Sequence, residues 1–264
     1  MTSSIGKPVA HADNTLAAVE RVVREFAMLP LESPARPDCL TGPLQLRSRL
    51  YHQVKTAWKI TAERTEIARL VVEDVSASEA RASLEARTRL ELDHPAHGTF
   101  STVIDLTGPV RLTRVGDEWK IADYCLDGRS SLDSYIHVER SVEQVFGVTV
   151  ALRGLSLDTT ITEVLLEWRS TRTAPVELVA GGLATRRLLP RWHWGAIDGE
   201  PQLLENGQAV SQIVWWVALP LETRDVWVVV HAREVASKTP YAFRFRVPLP
   251  ALEERRANAG LASQ

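Results

Sequence analysis

Residues 81–92 read Arg-Ala-Ser-Leu-Glu-Ala-Arg-Thr-Arg-Leu-Glu-Leu, in which Ala, Leu and Thr alternate with Arg, Ser and Glu. Because successive side chains of a strand point to opposite faces, this period of two predicts a long strand with one face on a core and the other in water. Further strands are predicted at residues 67–75, 100–106, 110–115 and 119–126, and Gly116-Asp117 marks a hairpin turn. This part of the chain is therefore expected to form a curved antiparallel sheet.

The segment before this sheet has helical rather than strand periodicity. Apolar side chains recur at three- and four-residue spacing at Leu16, Val19, Val22, Val23, Phe26 and Leu29. This spacing predicts an amphipathic helix that begins at an Asp13 or Asn14 cap and ends at Pro30. A proline-rich loop and a second short helix over residues 44–55 are expected to follow.

The last predicted hairpin, Leu-Thr-Arg-Val-Gly-Asp-Glu-Trp-Lys-Ile-Ala-Asp-Tyr at residues 112–124, resembles the end of the nuclear-transport-factor-like cone fold. That superfamily contains ketosteroid isomerases, SnoaL-type polyketide cyclases and non-catalytic accessory domains, and the resemblance covers roughly residues 14–128. It implies a pocket between helices and sheet, in which catalytic members place a carboxylate or histidine with a tyrosine. The ligand-binding candidates for such a pocket are Tyr51, His52, Asp105 and Tyr124. None matches a known catalytic position one-to-one, so no catalytic residue is assigned.

From about residue 138 onward, every periodic segment has period two. Turn signals such as Gly181-Gly182 and Asn206-Gly207 separate about seven short strands, which predicts a β-sandwich. With the stretch Leu-Leu-Glu-Asn-Gly-Gln at residues 203–208 before an apolar strand, this half resembles immunoglobulin-like or telokin-like modules of bacterial accessory proteins. It lacks the paired cysteines of true immunoglobulin domains. The predicted fold class is α+β: an N-terminal cone of helices on a curved antiparallel sheet, then a C-terminal all-β sandwich. The predicted parts are a flexible N-terminus (1–13), the cone domain (14–137), the sandwich (138–250) and a flexible tail (251–264).

Two predicted strands of the second half, residues 213–219 and 226–230, are apolar at every position. A sandwich sheet needs only one apolar face, so the second face of each strand must be covered. Three covers are open: the loop 181–205 of the same module, the first domain, or another molecule. The partner-binding candidates on this reasoning are Trp192, Trp194, Trp216, Val214 and Val229.

Composition excludes several classes of protein. The 264 residues are 45% hydrophobic and 24% charged with a formal net charge of −2, which is typical of a globular chain and lacks the basic surplus of a nucleic-acid binder. No window is apolar enough for a membrane span and no signal peptide is evident, so a cytoplasmic location is expected. The two cysteines, Cys39 and Cys125, are too few for a disulfide framework, although a single bridge between them stays open.

Recognisable catalytic or cofactor motifs are absent from the sequence. It contains no GxSxG, P-loop, GxGxxG or HExxH pattern, and His94 and His97 lack the further ligands that a metal needs. No metal and no cofactor are therefore expected. The preferred function is a non-enzymatic binding or assembly protein with a protein partner or a homodimer, using the apolar sandwich face and the cone domain. The alternative is an isomerase- or cyclase-like enzyme, or a carrier of a small hydrophobic ligand, that uses the cone pocket.

Overall fold

The computed structural model describes residues 9–53, 59–94, 98–157, 161–185, 192–197, 203–217, 219, 223–249, 251 and 254. The α-helices in these ranges are α1 (Val9–Met28), α2 (Gly42–Gln53) and α3 (Ser131–Ser134), and a 3₁₀ turn spans Arg36–Cys39. The strands are β1 (Lys59–Val75), β2 (Glu79–His94), β3 (Gly98–Val115), β4 (Glu118–Asp123), β5 (Cys125–Leu126), β6 (Arg129–Ser130), β7 (Tyr135–Val145), β8 (Val148–Leu157), β9 (Ile161–Ser170), β10 (Val176–Thr185), β11 (Trp192–Ile197), β12 (Leu203–Leu204), β13 (Ala209–Val217), β14 (Asp225–Glu234) and β15 (Pro240–Pro248). The protein is thus predominantly β.

The chain divides into two compact units. The first contains the chain up to Leu46 together with Ile60–Leu92 and Thr99–Ser131. The second contains Arg47–Lys59, Asp93–Gly98 and the chain from Leu132 onward. The predicted domain boundaries at residues 13, 137 and 250 stay predictions.

The first unit is built on a four-stranded sheet with the order β1-β2-β3-β4. The alternation that predicts β2 is confirmed, because Ala82, Leu84 and Leu90 are almost fully buried while Arg87 and Arg89 between them are exposed. Helix α1 packs against β4 and buries Val23 and Phe26. This helix begins at Val9, so the predicted cap at Asp13 or Asn14 is wrong.

In the second unit, a sheet of nine strands encloses the main apolar core. Eight of its strands follow the order β15-β14-β10-β11-β13-β9-β8-β7, and β12 pairs with β10. The two ends of this sheet approach each other, since β15 packs against β7. The core between its layers includes Leu152, Trp168, Val214, Val228 and Phe243.

The predicted fold class is wrong, and so is the resemblance on which its first half rested. Strands dominate both units, only three α-helices occur among the described residues, and these do not make an evident helical cone. The hairpin at residues 112–124 does form, since Leu112 pairs with Ile121 and Val115 with Glu118. A polar turn before an alternating strand is nevertheless a local pattern that any antiparallel sheet can use, so it does not specify what packs on that sheet.

The second half also differs from two separate sandwich sheets. Strand β11 pairs with β10 on one side and with β13 on the other, and it thereby joins the two layers into one hydrogen-bonded sheet. Sequence reasoning assigned residues 192–197 to a loop between strands. Their extended conformation is stabilised by partners that are distant in the sequence, so local periodicity could not reveal it.

The two apolar faces of β13 are covered in different ways. Val214 is fully buried in the main core, whereas Ile213, on the opposite face, belongs to a second cluster with Leu165 and Tyr135. Leu50 of α2 completes this cluster. Because the contacting part of α2 belongs to the same compact unit, the unit itself covers Ile213.

Candidate functional site

An open groove lies on the face of β1, β2 and β3 that carries their charged side chains. Its volume is about 540 Å³, which is within the range of small-ligand sites. We call it the charged groove. Its lining residues are Arg64, Glu66, Ala68, Glu85, Ala86, Arg87, Arg89, Asp105 and Thr107. The strict alternation of β2 places Glu85, Arg87 and Arg89 on this face, because its apolar residues occupy the other.

One ion pair crosses the charged groove between β2 and β3. The Nε of Arg87 donates to Oδ1 of Asp105 at 2.7 Å, and the second nitrogen donates to Oδ2 at 3.3 Å. This two-point hydrogen bonding holds the pKa of the Asp105 carboxyl below its usual value. Asp105 is therefore a carboxylate at neutral pH and is committed to Arg87.

The main chain at Asp105 is held from the turn between β5 and β6. The N–H of Asp105 donates to Oδ1 of Asp127 at 3.0 Å, and the N–H of Asp127 donates to the carbonyl of Asp105 at 2.8 Å. Asp127 has a φ of 47°, in the left-handed region that aspartate tolerates better than most residues. The turn thus fixes the part of β3 that lines the charged groove.

Among the other charged side chains of the groove, one has an oppositely charged neighbour and three form no ion pair with the residues that the structure describes. Glu85 lies 3.8 Å from Arg69, which is outside the groove lining. Within the described part of the chain, Arg64, Glu66 and Arg89 form no ion pair. Two guanidinium groups and one carboxylate are thus available to a ligand.

The four residues predicted to share a pocket have different surroundings. His52 is exposed on α2, and its Nδ1 lies 2.7 Å from the carbonyl of Ser48. The ring of Tyr124 packs 5.0 Å from that of Phe26, and Asp105 lies in the charged groove. Of the four, only Asp105 lines the charged groove, and Tyr51 and His52 belong to the other compact unit.

The fourth residue, Tyr51, lies beside a charge that is mostly buried in the second unit. The guanidinium carbon of Arg47 is 5.3 Å from the Tyr51 ring centre, and this guanidinium donates to Ser156 at 3.0 Å. Glu163 lies 3.6 Å from the same nitrogen of Arg47. These contacts attach α2 to β8 and β9, which is a structural role.

The predicted partner-binding residues are only partly described. Val214 is fully buried in the core and Val229 is 7% exposed, so neither presents an apolar surface to a partner. The side chains of Trp192, Trp194 and Trp216 lie outside those that the structure describes. On the same face of β14 as Val229, Trp227 is 38% exposed, and Arg246 lies 6.0 Å from its ring centre.

Sequence reasoning missed the arginines of the charged groove. The alternation marked Arg87 and Arg89 as a wet strand face, and a solvated face gives no reason to select individual residues. The signal that could have found them is the recurrence of arginine beside glutamate on neighbouring strands. Nothing in the sequence links Asp127 to Asp105.

Metal and disulfide chemistry find no support in the described ranges. No group of three or more His, Cys, Asp or Glu side chains is arranged there to hold a metal ion. Cys39 and Cys125 are both free thiols, and burial raises the pKa of Cys39. Among the helices that are described, none combines the length and the apolar character that crossing a bilayer requires.

Comparison with known proteins does not assign the chain to a family. No family model matches the sequence, and no curated protein is significantly similar to it.

Proposed function

We propose that this chain is a non-enzymatic binding protein that holds a partner protein on the face containing the charged groove. The observation that carries the proposal is the groove itself, in which three arginines and three carboxylates from adjacent strands surround about 540 Å³ of open space. Side chains on paired strands are positioned more rigidly than side chains on loops, which favours recognition.

The lowered pKa of Asp105 supports binding rather than proton transfer by this residue. A general acid needs a pKa near the working pH, whereas Arg87 lowers the pKa of Asp105. Asp105 therefore keeps its charge and contributes to a fixed pattern. Such patterns contribute to specificity and association rate more than to affinity.

The expected partner is a protein segment with charges that complement the pattern of the groove. Where the groove presents an arginine beside a carboxylate, the partner is expected to present a carboxylate beside a basic side chain. No cofactor is part of the proposal. The proposed compartment is the cytoplasm.

A swapped ion pair tests this proposal without changing net charge. The variant R87E/D105R keeps a carboxylate opposite an arginine but inverts the pattern at the centre of the groove. The matched control is D225R/R246E, which inverts another exposed two-point ion pair, between β14 and β15. Each full-length protein is first used to capture partners from an extract of its source cells. The captured proteins are then purified, and their binding to each of the three proteins is measured at increasing salt.

A purified partner that binds wild type and the D225R/R246E variant with salt-dependent affinity, but binds R87E/D105R at least about tenfold more weakly, is the expected result. Equal binding to all three proteins would overturn the proposal. Recovery of only the chain itself would replace the proposed partner with a second copy.

A further inference from the structure

We infer that Arg64 and Arg89 form a carboxylate-binding subsite within the charged groove, and that the ligand is an acidic peptide segment. The inference rests on the proposed function and names the chemistry of the partner. We call these two residues the arginine pair.

Strand pairing makes the arginine pair close neighbours. The hydroxyl oxygens of Thr65 and Thr88 are 2.9 Å apart, so these two side chains are neighbours on one face of β1 and β2. A hairpin turn joins the two strands, which therefore run antiparallel. Arg64 is next to Thr65 and Arg89 is next to Thr88, so both arginines point to the other face, where they line the groove.

The arginine pair is an unfavourable arrangement for the protein alone. Like charges that are close together on neighbouring strands repel each other. Elsewhere in the groove, Arg87 is neutralised by Asp105, and Glu85 has Arg69 nearby. Of the described residues, none forms an ion pair with either member of the arginine pair. An anion between the two guanidinium groups would relieve their repulsion.

The surroundings favour a single carboxylate over a phosphate. Guanidinium groups bind both anions through paired N–H donors. Glu66 and Glu85 also line the groove, however, and they repel a dianion more strongly than a monoanion. The groove runs across three strands, and the Thr107 hydroxyl on its β3 side can hydrogen-bond to a peptide main chain. These features together fit an extended peptide with an acidic side chain.

The test is fluorescence anisotropy with a short labelled peptide that has blocked termini and two glutamates among glycine and serine. A matched peptide with glutamine in place of glutamate controls for charge, and inorganic phosphate serves as a competitor. The full-length variants are R64Q, R89Q and R64Q/R89Q. The control is R81Q, which removes an exposed charge from the same strand outside the groove lining.

We expect the acidic peptide to bind wild type and R81Q with affinities within about twofold. Each single variant should weaken binding about threefold to tenfold, and the double variant should reduce it to the level of the glutamine peptide. Unchanged binding in R64Q/R89Q, or displacement of the peptide by phosphate at lower concentration than by free acidic peptide, would overturn the inference.

The same proteins separate failure of this inference from failure of the proposed function. If R87E/D105R loses the captured partner while R64Q/R89Q retains it, the groove binds a protein by other contacts and only the arginine pair is excluded. If the acidic peptide binds through the arginine pair but no partner depends on Arg87, only the proposed function fails.

Discussion

Asp127 and Asp105 hold each other through reciprocal hydrogen bonds, one from each main-chain N–H. Strand β4 pairs with residues 111–115 of β3, and the last pair joins Arg111 to Asp123. Beyond that point β3 lacks β4 as a partner, and Asp127 supplies both an acceptor and a donor in its place. The position of the Asp105 carboxylate, and with it the ion pair to Arg87, therefore depends on a turn that lies outside the groove.

Substitution of Asp127 tests this dependence. D127A removes the acceptor and also places alanine at a φ of 47°, so the free energy of unfolding should fall by roughly 1–3 kcal/mol. D127N should lose less, because its amide oxygen accepts the same hydrogen bond and asparagine tolerates this φ. Glycine adopts this φ without strain but has no side-chain acceptor, so the loss of unfolding free energy in D127G should lie between those of D127A and D127N. Urea unfolding measures all three, and equal losses for D127A and D127N would contradict the account.

Short-range pattern and long-range pairing explain what the sequence could and could not predict. The alternation around Leu84 is enough to predict β2 and its wet face, because burial of one face depends only on strand geometry. The alternation along β3 also predicts that Asp105 and Leu106 point to opposite faces of the sheet. This is confirmed, since Leu106 is buried and Asp105 lies in the groove. The partner of Asp105 depends on the register between β2 and β3, which the pattern of one strand does not contain.

The same reason explains the largest error. Sequence reasoning inferred a sandwich from about seven short strands at regular spacing, and it treated residues 192–197 as part of a loop. Strand β11 exists through its pairing at Gly181 with Gly195 and at Ala196 with Trp215. Such pairings join residues far apart in the sequence, so the periodicity of one segment could not reveal them.

Gly154 is required by the ring of Tyr135. A Cβ at Gly154 would lie 2.6 Å from the Tyr135 hydroxyl and 2.7 Å from a ring carbon. The substitution G154A should therefore destabilise the protein by about 1–3 kcal/mol through overpacking. In a Y135L background, which removes the ring, the same substitution should cost less than half as much. Chemical unfolding of the four proteins in this cycle gives the answer, and equal costs in both backgrounds would exclude the steric explanation.

Tyr135 also predicts how stability depends on alkaline pH. Burial raises the pKa of Tyr135 to about 12, although nearby Arg47 acts in the opposite direction. An unfolded tyrosine titrates near pH 10, so above that pH the unfolded state loses a proton that the folded state keeps. The contribution of protonated Tyr135 to the free energy of unfolding is complete below about pH 10. It is lost as the pH rises through the folded pKa, by at most about 1.4 kcal/mol per pH unit.

Removal of the hydroxyl isolates this effect. Y135F should change stability little at neutral pH, because the hydroxyl is buried and has no hydrogen-bond partner within the described residues. Between about pH 9 and about pH 11.5, its unfolding midpoint should fall less steeply than that of wild type. Parallel slopes for the two proteins would show that Tyr135 does not carry the alkaline sensitivity.

A single side-chain hydrogen bond inside the main core provides the last prediction. The indole N–H of Trp168 donates to Oε1 of Gln212 at 3.0 Å, and both residues are 1% exposed. Q212M leaves the indole N–H buried without its acceptor, although it also removes an amide nitrogen that has no partner of its own among the described residues. Because W168F removes the donor, Q212M should cost about 1 kcal/mol less in the W168F background than in wild type. Urea unfolding of both single variants and the double variant measures this coupling. If the two effects simply add, the unpaired indole is not the cause of the loss, and the altered packing around Phe243, whose ring lies 5.5 Å from that of Trp168, becomes the better explanation.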